Sequence, residues 1–220
     1  MNMLVCTLMT GDVFEYGKYS AKINEAYCRK HGYDWCVEIE LINKKYHPYW
    51  NKLLLIESNL VFSACRWDYV MFIDADACFT NFEIPLDKFI DPVRPVTIAY
   101  QNKELYKGPL GMNSGVMLFK NCKESSDYLG EAFDLFEECK KDPCPEQLAL
   151  GKLADGKYKD IVKRVSCKDF NAYRGPFAER QNLPHCMWSK GDFIMHCLRC
   201  SADYRINAFK EIIENERLGS

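Results

Sequence analysis

Through its first 75 residues the chain alternates short apolar, β-prone runs with stretches of helical periodicity, and this alternation restricts the fold more than any other feature. Met3 to Met9 (MLVCTLM) reads as a buried strand that ends in the polar loop Thr10-Gly11-Asp12. From Tyr19 to His31 the apolar positions Ile23, Ala26 and Tyr27 recur at helical spacing, and Gly32 stands where a C-cap belongs. Trp35 to Leu41 gives a second strand. Residues 50 to 64 carry Leu53, Leu54, Ile56, Leu60 and Val61 on the face of a helix packed on a sheet, and Tyr69 to Ile73 is a third strand. The pattern predicts an α/β fold whose central sheet is mostly parallel and flanked by helices. Ligands of such sheets lie beyond the carboxyl ends of the strands, so the loops after Met9 and Ile73 should meet at one cleft. Further strands are expected at Val96 to Tyr100, Gly115 to Phe119 and Ile161 to Val165. Helices are expected from Ser126 to Cys139, ended by Pro143 and Pro145, and from Glu146 to Leu153, before a loop-rich, aromatic C-terminal part.

With 220 residues, 48% hydrophobic and 27% charged, the chain has the balance of one well-buried domain over 1–220. A formal net charge of -2 argues against a nucleic-acid partner. No run of 18 apolar residues is available to span a bilayer, and the N-terminus does not read as a signal peptide. The twelve cysteines are scattered and sit mostly in apolar segments, which favours a reducing compartment, so the cytoplasm is preferred to a lumenal setting. Their even number leaves disulfides open.

In YVMFIDADACF an apolar strand ends in Asp74-Ala75-Asp76. Two carboxylates one residue apart at a strand end can both enter a cleft once regular pleating stops, and hard oxygen ligands suit Mn²⁺ or Mg²⁺. A cation held there would neutralise a diphosphate leaving group, such as that of a nucleotide sugar.

Four separated segments resemble the GT-A glycosyltransferases, and especially the galactosyl-, xylosyl- and mannosyltransferase family of fungi and plants, glycosyltransferase family 34. They are Trp50-Asn51-Lys52, the FIDADA strand end, the run from Met112 to Asn121, and Phe193-Ile194-Met195-His196 followed by Cys197 to Cys200. The resemblance implies a Rossmann-like nucleotide-sugar fold, retention of anomeric configuration by a front-face route, and a metal held by Asp74, Asp76 and His196. It implies a nucleotide-sugar donor, UDP-linked by analogy, and a glycan or glycoprotein acceptor. Residues 1 to about 100 would bind the nucleotide and about 101 to 200 the acceptor side, as in a compact viral or microbial module.

Around the metal ligands, Lys52 and Arg199 are candidates to neutralise the diphosphate. Thr7, Met9 and Thr10 close the first strand, where this fold lays the base and ribose. Tyr16 or Tyr19 could stack on the base, Tyr16 being the candidate taken, and Ala75 would lie with the acidic pair along the donor. Gly115 would let backbone approach the sugar, while Asn113 can donate to and accept from its hydroxyls. Glu146 and Gln147 match the place where the family carries an acidic residue and a glutamine near the reacting sugar. At Cys197 to Cys200 the chain has Cys-Leu-Arg-Cys where the family continues with small residues and glycine.

The alternatives are a structural zinc site built from His185, Cys186, His196, Cys197 and Cys200, and a domain that binds nucleotide sugars without turnover. Nucleotidyl transfer would want a glycine-rich basic loop after the first strand, and LMTGDVFEYGK is poor in both.

Overall fold

The computed structural model describes residues 1–61, 66–101, 111–180 and 183–218. Its six-stranded sheet has the order β2-β1-β3-β6-β5-β7, formed by β1 (Met3–Leu8), β2 (Asp34–Glu38), β3 (Tyr69–Ile73), β5 (Val96–Tyr100), β6 (Met112–Lys120) and β7 (Val162–Ser166). The pairs β1-β2, β1-β3 and β5-β7 are parallel, and β6 alone runs against the rest. A second sheet of β4 (Ala77–Phe79), β9 (Ile194–His196) and β8 (Ala172–Tyr173) lies beyond the end of β3 and was not anticipated from sequence.

Two apolar layers cover the large sheet. One contains α1 (Phe14–His31) and α8 (Ala202–Asn215), together with the small sheet. The other contains α2 (Pro48–Val61), α3 (Lys123–Asp134), α4 (Phe136–Cys139) and α5 (Pro145–Asp155). Two short helices, α6 (Cys167–Phe170) and α7 (Pro176–Arg180), flank β8.

Helix α1 starts five residues before the expected Tyr19. Gly17, a poor helix former in isolation, is needed there because a Cβ on it would come 2.5 Å from Met9 Sδ and 3.5 Å from the Cβ of Ala75. The helix thereby packs closely against the acidic turn. It ends as expected at Gly32, which takes the left-handed conformation (φ 72°) that a C-cap requires. The helix expected over 126–139 is two, interrupted at Leu135, and Pro145 opens α5 as its first residue, where a missing N–H costs nothing. The C-terminal part expected as loop carries α8, started by Ser201, whose hydroxyl accepts from the Tyr204 N–H.

Strand β6 extends three residues earlier than expected, through an irregularity. Ile98 pairs with Met117, yet its neighbour Ala99 pairs with Asn113, so Ser114, Gly115 and Val116 are extra on the β5 side. On the β3 side the ladder continues through Ile73 and Val116 and closes with the Asp74 N–H donating to the Gly115 carbonyl at 2.7 Å. Cys167 and Cys186 form a disulfide, the exception to the expected free thiols among the described cysteines.

Candidate active site

Asp74 and Asp76 leave the end of β3 in a turn that α1 grips by its backbone. The Ser20 hydroxyl donates to the Ala75 carbonyl at 2.6 Å, and the Asn24 amide donates to the Ala77 carbonyl at 3.2 Å while accepting from the Phe79 N–H at 3.0 Å. Ser20 and Asn24 stand four residues apart on one helix face and are both 1% exposed. Backbone held this firmly fixes where the two carboxylates point.

The small sheet then brings the far end of the chain to them. Pairing of Ala77 with His196, 119 residues later, seats the imidazole beside the turn. His196 Nε2 lies 3.0 Å from Asp76 Oδ1, its Nδ1 lies 2.9 Å from Asn171 Oδ1, and the ring is 1% exposed. One ligand atom from each of Asp74, Asp76 and His196 falls within 4.8 Å of the others. Gly115 faces the same space: a Cβ there would sit 2.5 Å from His196 Cε1 and 2.8 Å from Asp74 Oδ2. Its φ is not left-handed, so the demand is for room rather than for backbone freedom.

Cations surround the acids. Lys52, buried in α2, places Nζ 3.0 Å from Glu146 Oε1 and 3.4 Å from Asp74 Oδ1. Arg205 of α8 donates from Nη2 to Asp76 Oδ2 at 2.6 Å and stacks its guanidinium 4.5 Å over the Tyr16 ring. Burial raises the Asp74 carboxyl, with Asp76 adding to the effect and Lys52 opposing it. Burial would also raise Asp76, but His196 and Arg205 outweigh it and hold that carboxyl below the usual range.

A cleft of about 220 Å³ opens over this cluster, lined by Leu8, Thr10, Tyr16, Lys52, Asp74, Ala75, Asp76 and Arg205 among others. A second, of about 210 Å³, is lined by Gln101, Asn113, Gln147, Phe177 and Arg199 among others. The sequence candidates thus divide. Thr10, Tyr16, Lys52, Ala75 and the acidic pair share the first cleft, while Asn113, Gln147 and Arg199 share the second. Arg199 stacks on Phe177 at 4.9 Å, away from the residues that line the acidic cleft. Thr7 and Met9 line neither cleft and are buried in β1 and just beyond it, Met9 against Gly17; Leu8 faces the cleft instead. Glu146 is buried under Lys52 and accepts from the Ser114 hydroxyl at 2.8 Å. Both lone pairs of Asn113 Oδ1 are engaged, by the Gly115 N–H at 2.9 Å and Asn171 Nδ2 at 2.7 Å, so Asn113 can offer a sugar only its NH₂.

Arg205, Ser20, Asn24, Leu8 and Asn171 were missed in the sequence. Arg205 was hidden by reading the tail as loop, although Ser201 with Ala208, Phe209 and Ile212 carries a cap followed by helical spacing. Ser20 and Asn24 read as ordinary polar positions of α1, and nothing local marks them. The zinc alternative is excluded as drawn, because Cys186 is bonded to Cys167 and His196 turns to the aspartates.

The fold defines a class of architecture: the chain has the GT-A fold, similar over 96% of its length and the whole of the other chain to a glycosyltransferase involved in the glycosylation of the major capsid of PBCV-1, with a TM-score of 0.72 at 15% identity. Residues 14–110, less than half of the chain, match the galactosyl transferase GMA12/MNN10 family. Probable glycosyltransferase 6 of Oryza sativa subsp. indica is 32% identical over 107 residues, 47% of this chain and 22% of that protein. Probable xyloglucan 6-xylosyltransferase 3 of Arabidopsis thaliana is 32% identical over 127 residues, 56% of this chain and 27% of that protein. The matched stretch is therefore about a quarter of these relatives' length. Among the described residues no helix is long and apolar enough to cross a membrane.

Proposed function

We propose that the chain transfers a hexose from a nucleoside diphosphate sugar, a UDP sugar by family resemblance, to a hydroxyl of a glycan or glycoprotein, with retention. The observation that carries this reading is the convergence of Asp74, Asp76 and His196 beside a cleft that also holds Lys52 and Arg205. Two carboxylates and an imidazole are a donor set for Mn²⁺ or Mg²⁺, and the missing Cβ of Gly115 keeps room beside them. When bound, the cation supplies charge neutralisation at the diphosphate.

The chain's own residues do the rest. Arg205 offers a planar guanidinium to phosphate oxygens, and Lys52 adds a second positive charge from the wall of the cleft. Leu8, Thr10 and Tyr16 give the cleft an edge of apolar and aromatic surface suited to a base and ribose. Asn113, Gln147 and Arg199 line the second cleft, which would take the sugar and acceptor. Glu146, the carboxylate that the family resemblance sets near the sugar, is buried against Lys52, which favours a front-face route in which the departing phosphate takes the acceptor proton. Residues 1 to about 100 would form most of the donor part, completed by His196 and Arg205, and 101 to 200 the acceptor part. The Cys167–Cys186 disulfide speaks for an oxidising compartment, against the cytoplasmic preference drawn from the scattered thiols.

Thermal-shift titration of UDP and GDP sugars with and without Mn²⁺, followed by donor hydrolysis, tests the reading. Stabilisation by a UDP sugar only with Mn²⁺, together with slow release of UDP, is expected. Equal stabilisation without the ion, or a glycosyl-enzyme trapped on Glu146, refutes the metal or the route respectively.

A further inference from the structure

Behind His196 lies a chain of hydrogen bonds whose direction is set at one end. The Gly115 N–H can only donate, so the Asn113 side-chain atom 2.9 Å from it is the carbonyl oxygen. That oxygen is 2.7 Å from an Asn171 terminal atom, which must donate and is therefore the NH₂. The other terminal atom of Asn171 is then an oxygen, 2.9 Å from His196 Nδ1, and it can only accept. Reversing any of these three links would set two donors or two acceptors face to face, whereas Nε2, 3.0 Å from Asp76 Oδ1, is left to share a proton with that carboxylate or to take an ion in its place. Among these groups Asn171 is 0% exposed, His196 1% and Asn113 7%, so water does not relax the constraint.

Asn171 is itself held in place. Its N–H donates to the Cys167 carbonyl at 2.7 Å, and the next two residues form β8, which pairs Tyr173 with His196. Asn113 begins the segment that bulges out of register with β5, and its Oδ1 closes a local turn on Gly115 two residues on.

We propose that Asn171 and Asn113 are positioning residues that fix the His196 proton on Nδ1 and present Nε2 to Asp74 and Asp76. The inference rests on the metal reading of that cluster for its purpose but not for its geometry. A ligating imidazole whose other nitrogen is held by a partner is oriented before the ion arrives, and losing such a partner costs metal sites about 10–100-fold in affinity. In this chain the partner is an amide whose own orientation is dictated by backbone two links away, through Asn113 to the Gly115 N–H.

The test uses the full 220-residue chain with ¹⁵N-labelled histidine, the His196 signals being assigned by their loss in His196→Gln. In the wild type without metal, Nδ1 should give a protonated-type shift. In Asn171→Leu the proton of the neutral ring should move to Nε2, toward Asp76, and the calorimetric Kd for Mn²⁺ should weaken by about 10–100-fold. Asn171→Asp keeps an acceptor for Nδ1–H while losing the donor to Asn113 Oδ1, so it should return the proton to Nδ1 without restoring the link to Asn113. An unprotonated Nδ1 in the wild type overturns the proposal even if Asn171→Leu does not fold. So does a folded Asn171→Leu with unchanged Mn²⁺ affinity, provided Asp76→Ala abolishes binding. If Asp76→Ala also leaves Mn²⁺ binding unchanged, the metal reading falls separately, and the Nδ1 proton alone decides the positioning role.

Discussion

Replacing Gly115 by Ala adds one methyl group where three site residues already meet. The new Cβ would lie 2.5 Å from His196 Cε1, 2.8 Å from Asp74 Oδ2 and 2.9 Å from Asn113 Oδ1. Ordinary contact to a methyl begins near 3.4 Å, so the imidazole would have to retreat by about 1 Å from a pocket that leaves it 1% exposed. Overpacking of this kind costs about 1–3 kcal/mol. At roughly 2–4 °C per kcal/mol for a chain of this size, the expected fall in Tm is about 2–12 °C. The effect on the ion should be larger in proportion, because the groups displaced are its ligands: a Kd for Mn²⁺ weaker by tenfold or more, equivalent to about 1.4 kcal/mol. Calorimetric Mn²⁺ titration alongside a melting curve separates the two losses. A folded Gly115→Ala chain that binds Mn²⁺ as tightly as the wild type would refute the cradle and the ligand assignment together.

Other expectations follow from the same site. Because burial raises Asp74, its charge costs stability above its raised pKa and nothing below the ordinary range near 4; Asp74→Asn should therefore raise the metal-free Tm at pH 7, with the gain fading on acidification, while abolishing stabilisation by Mn²⁺. Asp76 has the opposite sign: its depressed pKa makes it stabilising above the ordinary range and progressively less so as pH falls through the lowered value, so Asp76→Asn should lower the Tm at pH 7. Arg205→Gln removes both the Asp76 contact and the guanidinium in the cleft, and UDP affinity in Mn²⁺ measured by calorimetry should drop about tenfold or more. Reduction of Cys167–Cys186, which are 19 residues apart, should remove about 3 kcal/mol and lower the Tm by roughly 6–12 °C, read by melting with and without dithiothreitol.

The parts legible in the sequence are those encoded by local pattern. The apolar strand ending in Asp74 and Asp76, the Gly32 cap and the α/β alternation each reflect forces acting within about a dozen residues. His196 was found because a family resemblance linked it to a motif 120 residues away, where spacing alone says nothing. The other members depend on tertiary register. Arg199 and Arg205 are both arginines near the C-terminus, and only the path of the chain after His196 decides that Arg205 reaches Asp76 while Arg199 stacks on Phe177. Thr7 and Met9 show the same limit at finer grain, since which side of a strand buried on both faces meets a cleft cannot be read from its sequence.

The three residues Ser114 to Val116 that β6 carries beyond what β5 can pair are also a statement about length. Deleting them would let Asn113 follow Met117 in an unbroken ladder, giving a straighter and more regular sheet. It would also remove the carbonyl that anchors Asp74, the hydroxyl beneath Glu146 and the glycine beside His196. Insertions and deletions that surface loops absorb freely would here exchange a working cleft for better β-structure. Drift in chain length across this stretch should accordingly produce well-folded proteins that have lost their chemistry, and a melting curve would not reveal them.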